Sequence, residues 1–124
     1  MVFLNEKVFN DSSNPLNVIS VLSTVIKFNS FTTSQTSKVL WTPSIGQSIN
    51  LTAINISAAV GTKISFQRAG NAVFLVVLLN TSISLYNANY CSPVRFDKNE
   101  SISITSSFTL TSGEYDITLI GYEN

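Results

Sequence analysis

The fold is decided by the seventeen residues from Lys38 to Ile54, which read KVLWTPSIGQSINLTAI. A strand ends at Trp41, after which Pro43 fixes φ for a turn and Gly46 permits the chain to reverse. Apolar and polar residues alternate again from Ile49 onward, which is the period of a half-buried strand. The stretch therefore predicts two strands joined by a hairpin turn.

The second of these strands, Ser48–Ser57, carries a change of phase. Its apolar residues lie at Ile49, Leu51 and Ala53, and then shift by one position to Ile54 and Ile56. Side chains on a strand alternate between two faces, so a one-residue slip marks an extra residue in the strand. The pattern predicts a β-bulge near Ala53.

The remainder of the chain has the same strand character. Val, Ile and Thr supply 35 residues and the aromatic side chains 13, which suits pleated, half-buried surfaces. Breaks rich in Gly, Pro, Asn and Ser, including Asn87 to Pro93, separate the candidate strands. These strands are Phe3–Phe9, Val18–Phe28, Lys38–Trp41, Ser48–Ser57, Lys63–Arg68, Val73–Leu79, Ser82–Tyr86, Val94–Phe96, Ser101–Phe108 and Tyr115–Tyr122.

Eight to ten short strands without a convincing helix predict an all-β protein, either a sandwich or a barrel. Its 124 residues fit one domain, with residues 1–37 as an arm or an added strand pair. The run Val73–Leu79 is apolar on both faces. It predicts a central strand, or a strand whose second face is covered by another subunit.

Composition and charge exclude several functions. Seven basic and seven acidic residues give a net charge of zero, and the polar surface is built instead from 44 Ser, Thr and Asn residues. So few cations disfavour binding to nucleic acid or to an anionic membrane. The chain has no histidine and one cysteine, Cys91, which predicts neither a metal site nor any other cofactor.

The start of the chain lacks the basic and apolar regions of a secretory signal peptide. Its longest apolar run, Ala72–Leu79, is far shorter than the roughly 20 residues of a membrane-spanning helix. We therefore expect neither a signal peptide nor a transmembrane segment.

The reactive side chains form no recognisable catalytic set. The pairs Asp97/Glu100 and Glu114/Asp116 lie at predicted loops or strand ends, and Asp97 to Glu100 is interpreted as a solvated hairpin turn. Cys91 has no histidine to activate it, which favours a packed or partly exposed thiol. Five Asn-x-Ser/Thr sequons, close to the number that chance gives, lie at Asn10, Asn50, Asn55, Asn80 and Asn99.

The Lys38–Ile54 stretch resembles the L-W-T-P-x-x-G-x-x-I-x-L-T segment of small jelly-roll virion proteins from bacteriophages and archaeal viruses. The C-terminal part is similar to them as well, in Ser92 to Phe96 and in a last strand that closes with Gly121, Tyr122 and Glu123. This resemblance implies a single antiparallel β-sandwich of jelly-roll type without enzymatic activity. It also implies a place on or between capsid subunits.

We therefore predict a virion structural protein, assembled in the host cytoplasm, that decorates, cements or forms spikes on a capsid. Its expected partners are further copies of itself, as a homotrimer, and a lattice of capsid proteins. The candidate structural and interface residues are Trp41, Pro43, Gly46, Phe74, Val76, Leu78, Gly121 and Tyr122.

Two other functions compete with this prediction. One is a carbohydrate-binding or host-receptor-binding module on the same fold, in which exposed Tyr86, Tyr90 or Trp41 would stack on sugars. The other is a small β-sandwich hydrolase, which the absence of histidine and of a convincing carboxylate pair disfavours.

Overall fold

A computed structural model describes residues 22–124, which form eight β-strands and one short 3₁₀ turn at Ala69–Asn71. The strands are β1 (Val25–Phe31), β2 (Lys38–Trp41), β3 (Ile49–Ala58), β4 (Thr62–Arg68), β5 (Ala72–Leu79), β6 (Leu85–Arg95), β7 (Ile102–Phe108) and β8 (Tyr115–Glu123). The strand predicted at Phe3–Phe9 and the first residues of Val18–Phe28 lie outside the described residues. The strand expected from Val18 begins, within the described part, at Val25.

The strands form two antiparallel four-stranded sheets. Sheet A has the order β1-β8-β3-β6, and sheet B has the order β2-β7-β4-β5. With the exception of β4 and β5, each strand lies in the other sheet from the strand that follows it. Two four-stranded sheets joined by such crossing connections form a jelly roll, which confirms the predicted fold class.

The predicted hairpin at Lys38–Ile54 is wrong. Strand β2 pairs with β7 in sheet B, whereas β3 pairs with β6 and β8 in sheet A. The intervening residues therefore carry the chain from one sheet to the other. Gly46 has a φ of +81°, which glycine adopts without strain, so the predicted turn itself exists. Its N–H donates to Asn99 Oδ1 at 2.6 Å, which ties this connection to the β6–β7 connection.

The core fills the space between the two sheets. Isoleucine, leucine and aromatic side chains from alternate positions of both sheets are almost completely buried there. Sheet A contributes the inward face of β8, including Ile117 and Leu119, and sheet B contributes Ile64, Phe66 and Ile104. Burial of these side chains is the main favourable contribution to folding.

The bulge predicted near Ala53 is confirmed. The registers of β3 with β8 and with β6 both shift between Leu51 and Ala53. On the β6 side the register passes from Asn89 to Val94, so residues 90–93 have no paired residue on β3. The predicted break from Asn87 to Pro93 is therefore wrong as a strand boundary, since β6 continues through it, but it coincides with this irregularity.

Candidate interaction surfaces

An ion pair between half-buried Arg68 and buried Glu100 closes the end of the sandwich where the β4–β5 and β6–β7 connections meet. Arg68 donates from Nε and Nη2 to the two carboxylate oxygens of Glu100, at 3.1 and 3.0 Å. The same carboxylate accepts the backbone N–H groups of Ala69 at 2.8 Å and Asp97 at 2.7 Å. The Arg68 guanidinium also lies 4.7 Å from the centre of the Phe96 ring. Glu100 thus holds two connections together.

The interpretation of Asp97 to Glu100 as a solvated hairpin turn is wrong in two respects. Glu100 is buried, and the segment joins strands of different sheets. The hydrogen bonds from Arg68 lower the pKa of Glu100 to about 2, and the N–H groups of Asp97 and Ala69 act in the same direction. A carboxylate whose hydrogen-bonding capacity is used in this way serves the fold and is not poised to transfer protons.

Glu123 makes a second carboxylate contact at the same end. It accepts the indole N–H of Trp41 at 2.8 Å and the backbone N–H of Ser44 at 2.9 Å. These bonds, with that of the Ser44 N–H as the largest cause, hold the pKa of Glu123 below its ordinary value. The contact joins the end of β8 to the β2–β3 connection.

The Glu100 carboxylate predicts a specific dependence of stability on acid pH. Because the folded-state pKa of Glu100 is about 2 and its ordinary value 4.5, the stability it supplies is fully present above pH 4.5 and is lost as the pH falls towards 2. We expect a Glu100→Gln variant to lose about 3 kcal/mol of this pH-dependent stabilisation. Urea unfolding of both proteins between pH 7 and pH 2 measures it, and a gap between them that stays constant across this range would contradict the assignment.

The candidate structural and interface residues have unequal access to a partner. Trp41 is 1% exposed and Pro43 is buried, so neither offers surface to another molecule. Phe74 is half-buried, with its ring centre 5.3 Å from that of Phe96. Gly121 is buried on β8, where its Cα lies against the Asn50 backbone, while Gly46 and Tyr122 are half-exposed.

Val76 and Leu78 belong to a different environment on strand β5. The expectation of a central strand is wrong, because β5 pairs only with β4 and forms an edge of sheet B. Val73, Val76 and Leu78 have exposures of 52%, 48% and 66%. We call these three residues the β5 stripe.

Edge strands expose unpaired backbone groups, and proteins protect them with charges, prolines or short length. Among the four edges of the described sheets, β1 carries Lys27, β2 has four residues and carries Lys38, and β6 carries Pro93 and Arg95. Strand β5, with the sequence AVFLVVLL, carries neither a charge nor a proline. It is the unprotected edge of the described sandwich.

The residues considered for sugar stacking are not exposed as that hypothesis requires. Trp41 lies in the core, and Tyr86 and Tyr90 are half-buried against it. Burial raises the pKa of Tyr90. Of the sequons within the described residues, Asn50 is also buried, and its amide donates to Ser48 O and to Asn124 Oδ1.

Within residues 22–124, no group of three or more Cys, Asp or Glu side chains is arranged to hold a metal ion. No helix in that range is long and apolar enough to cross a membrane. Cys91 is exposed on the part of β6 that has no paired residue on β3. Glu114 and Asp116, the second carboxylate pair noted in the sequence, both lie beside a depression on sheet A.

Comparison with known proteins supports the assignment of the fold. No protein-family model matches the chain. No curated protein sequence matches it either. Among solved structures, it is similar to a chain of the acidic stable capsid structure of Helicobacter pylori bacteriophage KHP30, with a TM-score of 0.58 and 10% identity. The match covers 84% of this chain and 95% of that chain.

A second solved structure is the virus-like particle of the extra small virus of the giant freshwater prawn Macrobrachium rosenbergii. The match covers 99% of this chain and 94% of that chain, with a TM-score of 0.40 and 13% identity. A TM-score of this size supports no argument about the fold. The phage comparison confirms the resemblance to jelly-roll virion proteins at the level of the fold.

Proposed function

We propose that this chain is a non-enzymatic structural protein of a virus particle, acting as a decoration, cement or spike component of a capsid. It assembles as a homo-oligomer, a ring of three copies, and binds a lattice of capsid proteins. Its place is the virion, and it needs neither cofactor nor nucleic acid for this role. The observation that carries the proposal is an unprotected apolar edge strand on a jelly roll of the kind found in a phage capsid structure.

The β5 edge supports oligomerisation. An exposed edge without charge or proline is a template for pairing with another chain. The β5 stripe adds apolar side chains beside that edge. A head-to-tail contact between β5 and another surface of the next copy closes into a ring when its rotation fits, as a three-fold assembly requires.

The polar surfaces support a structural role. The outward face of β7 and β4 in sheet B is built from Ser103, Thr105, Ser65 and Gln67, with Lys63 at one end. Such a face carries little charge, and the net charge of the whole chain is zero. Identical copies packed closely on a lattice therefore repel one another only weakly.

A charge on the β5 stripe is expected to dissociate the oligomer. In Leu78→Glu, the introduced carboxylate lies opposite Lys63 of β4, so the fold tolerates it, but burial against another copy leaves the charge desolvated. We expect light scattering to give the mass of one 13.5 kDa chain for this variant where the unchanged protein gives three times that mass.

Ile45→Glu is the matched control, because Ile45 is 97% exposed in the connection that follows β2, the edge of sheet B opposite β5. This variant keeps the mass of the unchanged protein if the β5 stripe is the contact. Equal masses for Leu78→Glu and the unchanged oligomer would remove β5 from the interface.

A separate experiment tests the proposed position of this chain on the virion. An antibody raised against the purified chain is applied to virus particles from the host that carries this gene, and the particles are viewed by electron microscopy. Labelling at regular positions on the capsid surface supports the proposal. Particles that contain none of this chain by mass spectrometry would contradict it.

A further inference from the structure

The outward face of sheet A carries a groove that the proposed assembly does not use. Two adjoining depressions, of about 270 Å³ and about 200 Å³, share the residues Ser57, Leu85 and Asp116. Together they cross all four strands of the sheet, from Phe28 on β1 to Asn87 on β6. At the usual spacing of strands this crossing is about 14 Å long.

The register of the sheet explains how these side chains come together. One row across the strands contains Phe28, Thr118, Asn55 and Asn87, and the next row contains Asp116, Ser57 and Leu85. Paired residues of adjacent strands lie on the same face, so each row presents its side chains side by side. The middle of the groove is therefore polar, and its two ends carry Phe28, 64% exposed, and Leu85, 62% exposed.

Asp116 carries the strongest indication of a ligand. Its Oδ1 atom is buried and has no hydrogen-bond partner among the residues that the structure describes. A buried acceptor without a donor costs about 1 to 3 kcal/mol, and a rotation of the Asp116 carboxyl group that turns this oxygen into the groove would let a ligand hydroxyl recover that cost. Neither Lys nor Arg lines the two depressions, so the groove does not attract an anion.

We infer that this groove binds a neutral oligosaccharide. A sugar ring presents an apolar face that stacks on an exposed aromatic ring such as Phe28. Its hydroxyl groups donate to the Asp116 carboxylate and exchange both donors and acceptors with the side-chain amides of Asn55 and Asn87. A second copy of the chain fits less well, because the centre of the groove lacks the apolar surface that β5 offers.

This site differs from the carbohydrate hypothesis based on Trp41, Tyr86 and Tyr90, which lie in or against the core. It also lies on the opposite sheet from the β5 stripe. Glycan binding by a capsid-associated protein would let the particle adhere to a glycan-coated surface, and it does not depend on the oligomeric state.

The test is a printed array of neutral and anionic oligosaccharides probed with the full chain. We expect binding to neutral oligosaccharides, followed in solution titrations of the strongest binder by a loss of about tenfold in affinity for Phe28→Ala and for Asp116→Asn. Ile45→Ala, with 97% exposure in the β2–β3 connection, and Asp97→Asn, at the ion-pair end, serve as matched controls and keep the affinity.

Thermal unfolding of all four variants shows that each is folded before its binding is compared. The inference is overturned by an array on which only anionic oligosaccharides or none bind, or by full affinity in Phe28→Ala and Asp116→Asn. It is equally overturned if Phe28→Ala lowers the solution mass, because the groove would then be a contact between subunits.

Discussion

Removing the Glu100 side chain is expected to lower the free energy of unfolding by about 3 kcal/mol, because a partly buried arginine and two backbone N–H groups lose a buried carboxylate. In Glu100→Ala, Arg68 loses its partner and the N–H groups of Ala69 and Asp97 lose their acceptor. Three hydrogen-bonding groups at one end of the sandwich then lose their partner together. Urea unfolding at pH 7 measures the loss.

Glu114→Ala is the matched control, because Glu114 is exposed and its one side-chain hydrogen bond within the described residues, from Ser30, is long at 3.4 Å. We expect it to change stability by less than about 0.5 kcal/mol. A similar small change in Glu100→Ala would mean that the ion pair does not hold the β4–β5 and β6–β7 connections.

Replacing Gly121 by alanine is expected to cost about 3 kcal/mol or more. A Cβ atom at this position would collide with the backbone O of Asn50 and lie 3.1 Å from the Cα of Leu51. Both atoms belong to the backbone of β3 beside its bulge, between strands paired on either side, so neither can move without disturbing sheet A. Thermal and urea unfolding of Gly121→Ala measure the cost.

Gly46→Ala is the matched control for Gly121→Ala, because it also adds a methyl group to a glycine but causes no steric collision. Gly46 has a positive φ, but a Cβ there would meet nothing within 4 Å. We expect a cost of about 1 kcal/mol from backbone strain alone. If Gly121→Ala were no more destabilised than Gly46→Ala, the close approach of β8 to β3 would not be a constraint on the fold.

Signals confined to one strand or one turn were read correctly from the sequence. The phase change between Leu51 and Ile54 predicted the bulge, because alternation of side chains is a local property of a strand. Gly46 likewise predicted a chain reversal, which exists. Neither signal says which strand becomes the partner, and in a jelly roll consecutive strands mostly lie in different sheets. The turn was therefore mistaken for a hairpin.

Predictions from the sequence were wrong where the position of a strand, at an edge or at the centre of a sheet, decides its structure. Asn87 and Pro93 were interpreted as a break, yet β6 is an edge strand, where proline and an irregular register are tolerated. The all-apolar β5 was interpreted as a central strand or as one covered by another subunit, and it lies at an edge. Its lack of charge and proline was visible in the sequence, and that lack becomes informative only once the strand order is known.

The candidate sites could not be predicted from the sequence either, because each combines residues that are distant along the chain. Glu100 was interpreted as solvated because Asp, Lys and Asn precede it, and its burial depends on Arg68, 32 residues away. The groove on sheet A combines residues from β1, β3, β6 and β8, and no spacing along the chain links Phe28 to Asp116. Pairing in the sheet creates both sites.

The solution mass of the unchanged protein across a dilution series tests the central claim most directly. If the unprotected β5 edge joins copies in a virion structural protein, light scattering gives three times the chain mass of 13.5 kDa, and that mass persists on dilution. A mass of one chain at every concentration would contradict the account, because β5 would then remain an exposed edge with no partner of its own kind.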